Sequence, residues 1–123
     1  MSDDPVLLTD LAIELWKALR SHERTLQYVP LSQVAKVEAQ IRFSSSRLES
    51  VLEEAGLSLI SFSGPYTPNL PATALNGDEF AGVNDPLLIQ RTVEPAIVQR
   101  QDMRVMRMGK IWLERGLPNV SRD

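Results

Sequence analysis

The sequence predicts an α+β fold: two N-terminal helices forming a bundle, closed within one chain or across a dimer, then a small, mainly antiparallel β-subdomain. Three observations predict it. Apolar residues recur at helical spacing through residues 6–55. Gly56 ends that pattern where a helix-terminating glycine belongs. Beyond it, short apolar runs alternate with Gly, Pro and Asn-Gly turn signals. The expected layout is one domain over 1–123, with a helical part at 5–56, a β part at 57–115 and a flexible tail at 116–123.

The first helix is expected from about Val6 to Arg24, with Asp3 and Asp4 near its start and Pro5 in its first turn. Its stripe is Leu8, Leu11, Leu15, Ala18 and Leu19, broadened by Ile13 and Trp16. Pro30-Leu31-Ser32 begins the second helix, with Ser32 as the expected cap. Along it Val34, Val37, Ile41, Ser44, Leu48, Val51 and Ala55 alternate steps of three and four. That spacing suits a helix packed lengthwise against a partner, with Ser44 the weak member. The first helix can occupy one side of this seam. The sequence leaves open whether a second chain occupies the other, and a homodimer is the expectation.

Leu57–Phe62 reads as a strand, and Gly64 to Pro71 as a corner rich in Gly and Pro. Asn76-Gly77-Asp78 and Asn84-Asp85-Pro86 are turns. Leu87–Val93 is a strand interrupted by Glu94-Pro95, and Ala96–Val98 is a short one. Met103–Met108 and Lys110–Glu114 form a last strand pair, or one strand bulged at Gly109.

Composition narrows the function classes. The 123 residues are 43% hydrophobic and 24% charged, which suits a packed globular domain rather than a disordered chain. Without cysteine there is no disulfide, thiolate metal site or cysteine nucleophile. The acidic start is unlike a signal peptide, and no apolar run nears the ~20 residues of a membrane span, so a cytoplasmic protein without membrane contact is expected. Net charge is −3, divided unevenly. Residues 1–86 carry six Lys/Arg against twelve Asp/Glu, and residues 87–123 carry seven against four. The basic excess of the second part is too small to imply nucleic acid.

No residue pattern carries catalysis. His22, the single histidine, stands near a helix end among Arg and Glu and reads as a surface residue. Glu53-Glu54 and Asp78-Glu79 are sequence neighbours, which diverge on a helix and suit solvated faces better than a metal site. No nucleophile elbow or phosphate loop is present. A protein that binds, with no catalytic residue, metal or cofactor, is therefore expected. Met103, Met106 and Met108 read as β-core filler, with an adaptable binding surface as the second reading. Strand alternation sets Trp112 opposite Ile111 and Leu113, so Trp112 faces outward if those two face the core.

The passage Leu48-x-x-Val51-Leu52-x-x-x-Gly56-Leu57-x-x-Ile60, followed by Gly64-Pro65-Tyr66-Thr67-Pro68-Asn69-Leu70-Pro71, resembles the step from helix to β-domain in GrpE-type nucleotide exchange factors. Upstream, Leu7-Leu8-Thr9-Asp10-Leu11 resembles that family's first bundle helix. Downstream, Val93-Glu94-Pro95-Ala96-Ile97 and Val105 to Leu113 resemble its closing strands. The order of parts agrees from about Val6 to Leu113. The family's aspartate and histidine at the corner are Thr67 and Pro71 here, its Arg-Pro-Ala is Arg107-Met108-Gly109, and its long stalk helix has no counterpart ahead of Val6. The resemblance implies a dimeric bundle whose β part binds the nucleotide-binding domain of a DnaK-type chaperone and promotes ADP release. It implies partner contacts at Tyr66, Pro68, Val93 and Leu113, to which the outward-facing Trp112 adds a fifth, and a bundle seam at Val34, Val37, Ile41, Leu48 and Val51.

Two other readings compete. One is an adaptor or interaction subunit with the same fold and no exchange activity. The other is a winged helix-turn-helix DNA reader, suggested by Pro30-Leu31-Ser32 and by Phe43 to Leu57. Glu49, Glu53 and Glu54 would meet DNA phosphates badly, so nucleic acid is the weaker partner.

Overall fold

In the computed structural model, which describes residues 5–116, the amphipathic stripes resolve into a helical hairpin. Helix α1 spans Pro5–Arg24 and α2 spans Leu31–Glu54, joined by a single 3₁₀ turn at Thr25–Tyr28. On α1 the buried side chains are Thr9, Ala12, Ile13, Trp16 and Leu19, one continuous face. The Arg20 guanidinium lies 5.3 Å from the centre of the Trp16 ring, a cation–π contact at the edge of that face. Asp3 and Asp4, expected near the helix start, lie outside the described residues. The start of α2 differs from expectation by one or two residues. Leu31 is already helical, Pro30 takes the cap position without a side-chain hydrogen bond, and Ser32 lies inside the first turn.

The α2 seam is filled mostly from within the chain. Ile41 and Leu48 are buried, Val34 and Val37 half-buried, but Val51 is exposed and its neighbour Leu52 takes the core position. The buried face therefore rotates by one residue toward the helix end, where the first sheet joins α1 as a packing partner. Because α2 runs unbroken from Leu31 to Glu54, there is no turn ahead of Ser44, and a recognition helix starting there is not formed.

Gly56 ends α2 as expected. At φ 77° it occupies the left-handed region, which costs a non-glycine residue about 1–2 kcal/mol. Its N–H donates to Glu53 O at 2.9 Å, and its carbonyl accepts from Arg100 N at 2.9 Å. One residue thus closes the helix and ties it to the β part.

Among the described residues seven strands follow: β1 Leu57–Ile60, β2 Gly64–Pro65, β3 Ala72–Ala74, β4 Leu87–Glu94, β5 Ala96–Gln99, β6 Val105–Arg107 and β7 Gly109–Arg115. They make two sheets. The first has order β1-β5-β6 and is antiparallel; the second has order β2-β4-β7-β3, antiparallel except for the parallel pair β3–β7. Three readings are corrected here. The first strand ends at Ile60, two residues early. The short β3 lies just beyond the proline corner, where the sequence carries no strand signal. The closing segments β6 and β7 are not a pair: β6 joins β5 in the first sheet while β7 lies between β4 and β3 in the second. Gly109 marks this change of sheet. A side chain there would meet Phe62 Cε2 at 2.7 Å and Glu94 O at 2.9 Å, so only glycine lets the chain pass.

Each sheet has its own core. The hairpin packs on the first sheet around Ala12, Ile13, Trp16, Leu48, Leu52, Leu57 and Ile97. The second sheet closes around Phe62, Ala72, Ile89, Ala96, Ile111 and Leu113. Two side chains substitute for missing ladder bonds. Thr92 Oγ1 accepts from Phe62 N at 2.8 Å and donates to Phe62 O at 2.9 Å, holding the crossing from β1 to β2. Buried Asn76 donates from Nδ2 to Leu113 O and accepts from Leu113 N at Oδ1, both at 2.9 Å, extending the β3 edge along β7. The expected tail lies outside the described residues apart from Gly116, whose N–H donates to Pro86 O at 2.9 Å.

Candidate interaction surfaces

Three features could carry function: the proline corner with the cleft beside it, the outer face of the helical hairpin, and a charged junction between helix and sheets.

The corner is held at both ends and exposed at its tip. Tyr66 N donates to Leu87 O at 3.0 Å, and Gly109 N donates to Pro71 O at 2.9 Å. Between them Thr67, Pro68 and Asn69 are exposed, and the Thr67 hydroxyl donates to Asn69 Oδ1 at 2.6 Å. Beside the corner an open cleft of about 570 Å³ runs toward the first sheet, bounded by Phe62, Leu70, Ile89, Val98, Met103 and Val105 among others. Met103 is 62% exposed and holds φ 59° without being glycine, an uncommon conformation imposed by the tight turn in which its N–H donates to Gln99 O. Met108 is also exposed, and Met106 alone of the three packs on a core. The reading of these methionines as core filler is thus corrected for Met103 and Met108. They present soft, adaptable apolar surface at the rim of the β part.

Of the expected partner contacts, Pro68 is exposed, Tyr66 is half-buried against the second core, and Val93 is half-buried on β4. Trp112 is half-buried on β7, across from Arg91. Leu113 does not belong with them. It is 4% exposed in the second core, with both backbone groups taken by Asn76. Alternation fixes this outcome, because Ile111 and Leu113 share the inward face and Trp112 takes the other. Nothing in the sequence singled out the cleft, since its walls come from five separated segments.

On the hairpin, an apolar groove lies between the two helices. Leu8, Leu11, Leu15, Phe43, Arg47 and Val51 line this groove of about 270 Å³. Among the seam residues assigned from sequence Ser44, Leu48 and Val51 line it, and Val34, Val37 and Ile41 do not.

The junction is built around Glu94, the last residue of β4. Its side chain is 8% exposed, and three cations converge on it: Lys17 of α1 at 3.1 Å, Arg107 of β6 at 3.4 Å and Lys110 of β7 at 3.7 Å. Arg107 also pairs with Asp10 of α1. One carboxylate therefore joins the hairpin to both sheets. Burial pushes its carboxyl up, but the hydrogen bond from Lys17 and the charges of Lys110 and Arg107 outweigh this and hold it below the usual glutamate range. Reciprocally, the hydrogen bond to Glu94 raises the Lys17 ammonium above its ordinary value.

No protein-family model, curated protein or solved structure matches this chain. Among the described residues, no three His, Asp or Glu converge as metal ligands, and no helix is long and apolar enough to cross a membrane. His22 is exposed in the last turn of α1, and Glu53, Glu54, Asp78 and Glu79 are exposed. What the arrangement offers chemically is apolar contact surface on two distinct parts, held in fixed relation by a buried ionic junction.

Proposed function

We propose that the β part engages the nucleotide-binding domain of a DnaK-type chaperone and promotes ADP release. The observation that supports this most is the position of the apolar cleft. It lies against the Gly64–Pro71 corner, the same passage whose sequence resembles the exchange-factor family, and its exposed rim includes Met103 and Val105. The mechanism is binding alone. The chain opens the nucleotide cleft only by as much as it prefers the open conformation, so its binding energy sets the limit on acceleration. Tyr66 and Pro68 at the corner, with Val93 and Trp112 on the strands, are the proposed contacts; Leu113 supports them from the core.

The second reading, an adaptor that binds without exchanging nucleotide, is favoured by one observation. Two of the departures from the family pattern, Thr67 and Pro71, fall at this corner, where the Thr67 hydroxyl donates to Asn69 and Pro71 is half-buried. Stopped-flow release of fluorescent ADP from the source cell's DnaK-type chaperone separates the two. Acceleration that saturates with added chain supports exchange. Saturable binding without acceleration supports the adaptor, and absence of binding removes both.

A further inference from the structure

The groove between α1 and α2 plays no part in binding through the corner, and it is one end of a longer trough. A second hollow, of about 580 Å³, continues it toward the 3₁₀ turn, lined by Leu19 and His22 of α1 and by Lys36, Gln40 and Ile41 of α2. Phe43 and Ser44 line both hollows and join them. The α1 wall of the trough runs from Leu8 to His22 and the α2 wall from Lys36 to Leu52. At 1.5 Å of rise per residue these walls are about 20–24 Å long, the length of a four-turn helix. Leu48 and Leu52 are buried at its floor, while Leu11 is 67% exposed and Phe43 72%.

The charges along this trough have one sign. Lys36 and Arg47 are eleven residues apart, about three helical turns, so they stand on one line of α2 with Phe43 between them. Neither makes an ion pair within 4.0 Å among the described residues. The two helices carry seven carboxylates, three on α1 and four on α2, and none of them lines either hollow. Four of the seven are already held by the chain's own cations: Asp10 by Arg107, Glu14 by Lys17, Glu23 by Arg20 and Glu53 by Arg100. The acidic half of the chain thus turns its acids elsewhere and leaves two unpaired cations beside its largest apolar hollows.

We infer that this trough docks an acidic amphipathic helix of a partner protein. The helix is about four turns long. It sets apolar residues, at steps of three and four, against Leu11, Leu15 and Phe43, and carboxylates along the flank that meets Lys36 and Arg47. Grooves that receive a helix read anchors at this spacing. A purely apolar occupant would cover the two cations unpaired, which is costly. A second copy of this chain meets the same objection. A two-fold contact sets the trough against itself, which doubles its positive charge and brings no carboxylate from its lining. A bilayer surface is flat, whereas the floor at Leu48 and Leu52 is recessed between two helices, where a rod fits. The inference stands apart from the chaperone reading, which concerns the corner and the cleft.

Fluorescence anisotropy tests it with a labelled synthetic helix of about 16 residues, leucines at the anchor steps and glutamates on the flanks, beside the same helix with lysines in place of the glutamates. The glutamate helix should bind saturably, about tenfold or more tighter than the lysine helix, and should lose affinity as salt rises. Lys36→Glu combined with Arg47→Glu, both at exposed positions where folding is verified by thermal melting, should reverse the order of the two helices, an outcome that loss of structure cannot give. Phe43→Asp should weaken binding of both. No binding of the glutamate helix, equal affinity for the two helices, or a preference that the double reversal leaves unchanged overturns the inference. So does a dimeric chain that Phe43→Asp makes monomeric, which gives the trough to a second copy. Binding to phosphatidylserine vesicles that the double reversal abolishes, with the glutamate helix ignored, overturns it in favour of a membrane surface.

Discussion

Replacing Glu94 with glutamine removes one charge from the junction and almost no volume. In the native protein that carboxylate is 8% exposed and lies 3.1, 3.4 and 3.7 Å from Lys17, Arg107 and Lys110. Breaking a fully buried ion pair costs about 3–5 kcal/mol. Here the three cations keep 30–46% of their side-chain surface and recover hydration when the anion is gone. Asp10 still neutralises Arg107. The expected loss is therefore smaller, about 2 kcal/mol at neutral pH. Its pH dependence has a definite sign. The folded-state pKa of Glu94 is depressed, so its stabilisation is complete above the unfolded glutamate value of about 4.3 and is lost as pH falls through the lower folded value. Urea unfolding of wild type and Glu94→Gln at pH 7 and in steps toward pH 3 measures both quantities. The two proteins should differ at neutral pH and converge in acid. A difference that persists unchanged to pH 3, or a variant as stable as wild type at pH 7, refutes this account of the junction.

Two further perturbations test the local structure. Asn76→Ala removes both side-chain hydrogen bonds to the Leu113 backbone and leaves a buried N–H and C=O unpaired, which should cost about 2–4 kcal/mol in denaturant midpoint and deprotect the Leu113 amide in hydrogen exchange. Gly56→Ala meets no atom within 4 Å, so its cost is conformational only and should be about 1–2 kcal/mol, read as a lower thermal midpoint without loss of helix signal.

The helical half was legible because its information is local and periodic. The stripes of α1 and α2 and the stop at Gly56 each lie within a few residues of the structure they specify. What escaped was which side of a stripe meets which partner. Leu52 rather than Val51 enters the core because the first sheet packs beneath the end of α2, and no periodicity within α2 encodes that sheet. In the β half β1 and β4 to β7 were found, but neither the short β2 and β3 nor the pairing of the strands. β6 and β7 are nearly contiguous yet belong to different sheets, a separation imposed by the close approach of Phe62 and Glu94 to Gly109. Asn76 read as a turn residue, which it is, but its role as a substitute strand depends on β7, some 37 residues away. The outward turn of Trp112 followed from alternation. The assignment of Leu113 to a partner came from the resemblance and conflicts with that same alternation. The methionine cluster was legible, with a binding surface only as its second reading, whereas the cleft was invisible because its walls assemble from segments far apart in the chain.

Thermodynamic reciprocity supplies the most direct test of the proposed function. If the chain weakens ADP binding to the chaperone, ADP must weaken the chain's binding by the same factor. Titration calorimetry of this chain against the nucleotide-binding domain of the source cell's DnaK-type chaperone, nucleotide-free and ADP-loaded, measures that factor. The account predicts clearly tighter binding to the nucleotide-free domain, with the preference reduced by alanine at Tyr66 or Met103. Equal affinity for the two forms would contradict it.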